Sequence, residues 1–283
     1  MTNLSPSELI INPDGSIYHL HLCPGDIADT VFFVGDPERV AKVTKFFDRI
    51  ELERHHREFV THTGYIGNKR LSVVSTGIGT DNIDIVLTEL DALVNIDFDS
   101  RQVKPELHSL NIIRLGTTGS LRRDIPVDSL LVSAHAVGLD GFMAFYDFAG
   151  NTDLLNELKH NAPEIFNLCV PYAANATLEL PLGNEFGKGI TLTCPGFYGP
   201  QNRHVRLFST LFGLFEKMDK VNYNGFRLSN MEMETAGIYA MADILGHKAI
   251  SVNAILANRV TNEFSKNPEK IVEQMIEKVL TTI

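Results

Sequence analysis

Short apolar runs that stop at glycine, separated by stretches of helical spacing, set the pattern of this chain. Val31–Val34, Leu71–Ser75, Asn111–Leu115, Ser129–Ala134, Ile190–Cys194 and Lys248–Leu256 are rich in Val, Ile and Leu. They show little alternation, as strands covered on both faces do. Between several of them the period changes to 3.6. In Asp81–Val94 the residues Ile83, Val86, Leu87, Leu90 and Val94 recur every three or four positions behind Asp81, a candidate cap. The same reading predicts helices near Pro37–Phe47, Thr152–Asn161, Asn202–Phe215, Met231–Leu245 and Pro268–Leu280. Strand–helix alternation predicts an α/β fold with a largely parallel or mixed sheet. No internal repeat or Pro/Gly/Ser linker divides the chain, so residues 1–283 read as a single domain.

In sheets of this kind ligands bind beyond the carboxyl ends of the strands. Five such ends carry unusual residues. After Val34 come Gly35, Asp36, Pro37 and Arg39. Capping alone accounts for Asp36 and Pro37. Gly35 and Arg39 are left over, and a bare backbone with an arginine at a helix start suits a phosphate. "STGIGTDN" places Gly77 and Gly79 around Ile78, either as a tight turn or as a backbone approach to a ligand. "NIIRLGTTGS" puts Arg114 inside an apolar strand, where an unpaired charge is costly. Either a buried acid pairs with it, or it faces an anion beside Gly116, Thr117, Thr118 and Gly119.

"CPGFYGPQNRHVR" offers a ring, an amide and a planar cation in Phe197, Gln201 and Arg203, a set able to read the edge of a heterocyclic base. "NMEMETAGIYAMADIL" sets Glu234 on the apolar stripe of Ile238, Met241 and Leu245. That acid either caps the helix start or accepts hydrogen bonds from sugar hydroxyls, with Met233 beside it. Arg259, after a sixth run, reads as a surface residue or as a second cation near the base.

A formal charge of -10, with acids and bases interspersed, argues against a nucleic-acid or anionic-membrane surface. It leaves room for a small anionic substrate in a locally basic pocket. Cys23, Cys169 and Cys194 are too few and too scattered for a disulfide framework or a zinc site. With no recognisable secretory signal or membrane span, the expected compartment is the cytoplasm.

"GDPERV", "HHREF", "STGIGTDN", "RLGTTGS", "GFYGPQNR", "MEMETA" and "ILANR" stand in the order and rough spacing of the nucleoside phosphorylase family. The resemblance runs from about Tyr18 to Arg259 and is strongest to the uridine phosphorylase branch. It implies a mixed sheet partly closed into a barrel and flanked by helices. The implied activity is reversible cleavage of uridine by phosphate, with deoxyuridine or thymidine as further substrates. The alternatives are a purine nucleoside phosphorylase, or a non-catalytic nucleoside-binding protein on the same scaffold.

By resemblance Gly35, Arg39, Arg114 and Thr117 surround phosphate, and Arg57 reaches it from a neighbouring subunit. His19, also from the neighbour, and Thr117, Glu232, Met233 and Glu234 contact ribose. Thr118, Gly119, Phe197, Gln201, Arg203 and Arg259 frame the base. Arg114, Glu234, Gln201 and Arg203 carry the catalytic roles. Phosphate is then a co-substrate, and no cofactor is needed for catalysis. The family also implies a structural cation between subunits at Glu58, Ile78 and Asn82, where Asn82 departs from the usual serine. Shared sites imply a homo-oligomer built from dimers. The stretch 95–110 is long for a helix–strand connection and has no counterpart in compact hexameric members.

Overall fold

The structure is a computed structural model that describes residues 3–211 and 213–283. The first half alternates strands and helices. It runs β1 (Thr30–Val34), α1 (Pro37–Thr44), β2 (Arg49–His56), β3 (Phe59–Ile66), β4 (Lys69–Ser75), α2 (Thr80–Asn95), β5 (Ile96–Asp97), β6 (Gln102–Val103) and β7 (Asn111–Ser120). The second half comprises β8 (Leu130–Gly138), α3 (Thr152–Asn161), α4 (Ile165–Leu168), β9 (Tyr172–Asn175), β10 (Phe186–Thr193), α5 (Leu214–Met218), β11 (Asn222–Tyr223), β12 (Phe226–Glu232), α6 (Thr235–Leu245), β13 (Lys248–Asn258), β14 (Glu263–Phe264) and α7 (Pro268–Leu280).

The main sheet follows the order β11-β12-β10-β8-β13-β7-β1-β4-β3-β2. β1 pairs parallel with both β4 and β7, while β13 pairs parallel with β7 and antiparallel with β8. β12 then meets β7 through Asn230↔Ser120 and Met231↔Gly119. This contact closes β7, β13, β8, β10 and β12 into a ring, and the remaining strands extend from it as an open sheet. The expected mixed, partly closed sheet is therefore what the chain forms.

Both faces are covered, which is why the runs lack alternation. Val31 and Phe33 of β1 join the core that α2 and α6 share. Phe32 and Val34 join the core beneath α1 and α7. Asp36 caps α1 as expected, accepting from Glu38 N at 2.9 Å, with Pro37 in the first turn. Asp81 does not cap α2. Gly79 holds the cap position at φ 98°, a conformation open to glycine, and no side chain caps there.

Three expectations about element bounds change. The strand beginning at Asn111 continues through the Gly-Thr-Thr-Gly stretch to Ser120, because β13 pairs with it along its length. Met231–Leu245 begins as the end of β12, and α6 starts only at Thr235. Asn202–Phe215 does not form the expected helix, and only Leu214 and Phe215 at its end belong to one, the start of α5. Asn202 is left-handed (φ 53°) and ends a 3-10 turn, Gly199–Gln201. Val205, Leu207 and Phe208 then point outward, so their spacing marks no buried face. Phe212, in the same span, lies outside the described residues.

The long 95–110 connection is occupied by the β5–β6 hairpin. It is tied back through Lys104 Nζ to Val94 O (2.8 Å) and the Asn95 side chain to His108 O (3.1 Å). No helix among the described residues is long and apolar enough to cross a membrane.

Candidate active site

A cavity of about 450 Å³ lies where β1, β7 and β12 deliver their carboxyl-terminal residues. Gly35 and Arg39 line one end of the set, and Phe197, Gln201 and Arg203 come from the β10–α5 connection. Arg114, Thr117, Thr118, Gly119, Glu232, Met233 and Glu234 also line it. These residues, scattered over two hundred positions of sequence, meet on one concave surface.

At its floor Arg114 is buried, and the first of the two readings offered for it holds, since buried acids pair with it. Its Nη2 donates to Glu234 Oε2 at 2.6 Å and lies 3.0 Å from Glu232 Oε2, while Nη1 donates to Asn253 Oδ1 at 2.8 Å. It thus lines the cavity while internally ion-paired, and two carboxylates compete for the charge expected to serve an anion.

The two glutamates divide the roles that the sequence left open for one. The Glu232 carboxylate covers the start of α6, whose N-cap position Glu234 holds through its backbone. Glu232 accepts from Glu234 N (2.9 Å), from Thr235 N (2.9 Å) and from the Thr193 hydroxyl (2.6 Å). Its carboxylate is consumed by these bonds and by Arg114, which leaves little to offer a sugar. The Glu234 side chain caps nothing. Its Oε1 takes the backbone N–H of Gly79 at 2.8 Å, so the "GIG" turn approaches this carboxylate. Burial holds the Glu234 carboxyl above its ordinary value against the pull of Arg114, and neighbouring Glu232 adds to the rise.

Arg39 differs from Arg114. Among the described residues it has no carboxylate within salt-bridge reach, and its one polar contact is Nη1 to Leu115 O at 3.4 Å. Burial, then the charge of Arg114, depresses its pKa. A half-buried cation beside another cation and facing a cavity is an anion site in waiting. Among the described residues the Thr117 hydroxyl has no hydrogen-bond partner, and the residue is partly exposed on the same cavity. Thr118 is different. Its hydroxyl donates to Met231 O (2.6 Å) and accepts from Asn230 Nδ2 (2.9 Å), so it is structural.

At the other end Arg203 stacks on the Phe197 ring at 3.7 Å and donates to Phe197 O (2.6 Å) and to Gln201 Oε1. With its oxygen held by Arg203, the buried Gln201 has its amide N–H groups left to donate. Burial and then the nearby Arg259 charge lower the Arg203 pKa. Arg259 itself lines a neighbouring cavity of about 670 Å³, which shares Gln201 and Met231 with this one. It is set behind the base end, with Nη2 3.3 Å from Asn202 O.

His19 and Arg57 do not line this chain's cavity. Arg57 occupies the turn between β2 and β3 at φ 56°, with its guanidinium 5.5 Å from the Tyr18 ring. His19 is pinned by Glu89 of α2, which takes its Nδ1 (2.6 Å) and its backbone N–H (3.0 Å). Sequence reasoning missed Glu89, Asn253 and the Gly79 N–H. Asn253 alone left a signal, as a polar residue inside the apolar run "ISVNAIL".

At the expected cation position Asn82 turns its amide N–H toward Ile78 O at 3.5 Å. A donor therefore takes the carbonyl that a cation needs. No group of three His, Cys, Asp or Glu able to hold a metal occurs among the described residues.

The cavity thus sets Arg39 and Arg114, the Glu234 carboxylate and the Gln201–Arg203 pair on one surface. Residues 29–283 match the sequence profile of the phosphorylase superfamily. The chain belongs to that family. It is 34% identical over 257 residues to a uridine phosphorylase of Thermococcus kodakarensis, covering 91% of this chain and 83% of that one. It is 29% identical to a DeoD-type purine nucleoside phosphorylase of Caldanaerobacter subterraneus, covering 89% and 92%. A nucleoside phosphorylase of Trypanosoma brucei, described as showing uridine phosphorylase activity, superposes with a TM-score of 0.84 at 27% identity. That match covers 97% of this chain and 100% of the other.

Proposed function

We propose that this phosphorylase is a uridine phosphorylase, cleaving uridine with inorganic phosphate to uracil and ribose 1-phosphate. The observation that carries the reading is the polarity of the single cavity. Arg39 and Thr117 stand free for an anion, Glu234 and Met233 lie midway for a sugar, and Gln201, Arg203 and Phe197 wait for a planar base. The uridine phosphorylase of Thermococcus kodakarensis and the trypanosomal protein support the choice of uridine.

Phosphate held by Arg39, Gly35, Thr117 and Arg114 attacks the anomeric carbon from the face opposite the base. The new bond forms to a phosphate oxygen. The glycosidic C–N bond breaks with its electron pair going to uracil. Positioning and charge stabilisation then carry the rate. Gln201 and Arg203 donate hydrogen bonds to the base as it gains negative charge. Glu234 holds the sugar hydroxyls and steadies positive character on the ring. No step requires a metal or an organic cofactor.

Two further side chains for this cavity come from a second subunit. Arg57 and His19 lie outside their own chain's cavity, on elements brought together by the His56 Nδ1–H bond to His19 O at 2.9 Å. We assign them to the partner's phosphate and ribose in a homodimer acting in the cytoplasm in nucleoside salvage. Mixing tests this assignment. A dimer of one Arg57→Ala chain and one Gln201→Ala chain holds one intact site, so co-expression should restore activity that neither variant shows alone at low uridine. Absence of any restoration contradicts the sharing.

A nucleoside panel assayed with and without phosphate tests the function. Uridine cleavage that needs phosphate is expected, with deoxyuridine and thymidine ranking its pentose and methyl tolerance. Faster cleavage of inosine would move the chain to the purine branch, and cleavage undiminished without phosphate would make it a hydrolase. Gln201→Ala should raise the uridine KM by about tenfold or more while leaving the phosphate KM nearly unchanged, as loss of a buried donor predicts.

A further inference from the structure

The five strands that close the ring each place a buried polar side chain in a single hydrogen-bonded belt. Arg114 Nη1 donates to Asn253 Oδ1 (2.8 Å), and Asn253 Nδ2 donates to Ser133 Oγ (3.0 Å). The Ser133 and Thr191 hydroxyls meet at 2.5 Å, and Thr191 Oγ1 donates to Asn230 Oδ1 at 2.9 Å. Asn230 Nδ2 donates to Thr118 Oγ1 (2.9 Å), whose proton goes to Met231 O. With Ser133 donating to Thr191, every hydrogen points the same way around. β7 supplies both ends of the belt, Arg114 and Thr118, and β13, β8, β10 and β12 supply one member each.

A ring of this size could be filled with Val and Leu at no loss of stability, since buried polar groups at best repay their desolvation. The chain has also given up a side chain to make the first link. A Cβ at Gly116 would collide with the Arg114 guanidinium and lie 2.7 Å from Asn253 Oδ1. Asn253 is fully buried and, besides Ser133, donates to Ser251 Oγ at 3.2 Å. Its amide is fixed on the side away from the arginine, so its oxygen has one direction to face.

We propose that Asn253 is a positioning residue for Arg114. It holds Nη1 while the two glutamates hold Nη2, so the guanidinium plane is fixed from two edges and cannot turn wholly onto the carboxylates. The inference rests on the reading of this cavity as a phosphate site. Its consequence falls on phosphate rather than on the nucleoside.

The test is calorimetric binding of inorganic phosphate, together with steady-state KM values for phosphate and uridine, on the wild type, Asn253→Ala and Ser133→Ala. Asn253→Ala should weaken phosphate about tenfold, the worth of one charged hydrogen bond. Its uridine KM should stay within about twofold. Ser133→Ala, one step further along the belt and a milder change, should weaken phosphate about threefold by loosening the Asn253 amide. Ser133→Ala carries the test should Asn253→Ala fail to fold. A merely structural role would lower the thermal midpoint and leave the ratio of the two KM values unchanged, which overturns the inference. Wild-type protein that binds phosphate while folded variants bind it equally well refutes this inference alone. Wild-type protein that neither binds phosphate nor cleaves a nucleoside refutes the functional reading, and the inference with it.

Discussion

Arg114→Ala should cost both stability and activity. Arg114 is the one cation between two buried carboxylates, with Nη2 at 2.6 Å from Glu234 and 3.0 Å from Glu232. Removing it leaves two acids side by side without an ion-pair partner, with the charge of Arg39 acting on Glu234 only from beyond salt-bridge reach. Breaking a buried ion pair from one side costs about 3–5 kcal/mol. Here the carboxyls have an escape, because Glu234 can take up a proton, and the loss should therefore shrink as the pH falls. Denaturant unfolding at neutral and mildly acidic pH measures this directly. Phosphorolysis should fall by about two to three orders of magnitude, as for other preorganised charge-stabilising groups, when assayed where the variant is still folded. An Arg114→Ala protein with wild-type stability would mean that Glu232 and Glu234 do not depend on it.

That double dependence explains how far the site was legible beforehand. An arginine inside an apolar strand announces itself, because the cost of an unpaired charge demands a partner or a ligand. Which of the two it has cannot be read locally. Its partners lie 120 residues away in sequence at Glu234 and 139 away at Asn253, and only closure of the ring brings them in. The roles of Glu232 and Glu234 turn on the same point. Both stand near a helix start, and only the strand-to-helix break between them decides which carboxylate takes the N–H groups at the start of α6 and which takes the Gly79 N–H.

The fold was read best where packing acts on both faces of a strand. β1, β4 and β13 carry buried apolar residues at successive positions because both of their faces are covered. β2 and β3 escaped notice, since β2 is largely exposed and its residues lack an apolar period. The predicted helix over Asn202–Phe215 failed for the opposite reason. Val205, Leu207 and Phe208 have no surface to pack on, Phe208 being 87% exposed, and only Leu211, Leu214 and Phe215 at the far end reach the core. Periodicity predicts a helix only where something waits to cover the stripe. The resemblance supplied what composition could not, namely which strand ends belong to one site.

Glu234→Gln should behave as the converse of Arg114→Ala, with activity lost and the fold kept. Gln removes one of two negative charges and leaves Arg114 paired one-to-one with Glu232. No buried charge is stranded. Its carbonyl can still accept from Gly79 N or from Arg114, though not from both, so one of the bonds now at 2.8 and 2.6 Å is lost. The kcat for uridine should drop by about two to three orders of magnitude, since the positive ribosyl centre loses its facing charge.

Stability carries the second signature. Burial raises the Glu234 carboxyl in the folded chain above its unfolded value near 4.5, so the folded state holds more protons just above that pH. Wild-type stability from this group therefore declines as pH rises from about 4.5 toward the folded pKa. Glu234→Gln cannot titrate and should lack that slope, so its stability relative to wild type should improve across the same window. Parallel pH–stability curves for the two proteins would show that folding does not raise the Glu234 carboxyl. The wild type then carries the full carboxylate charge at neutral pH, and the activity loss reflects removal of that charge.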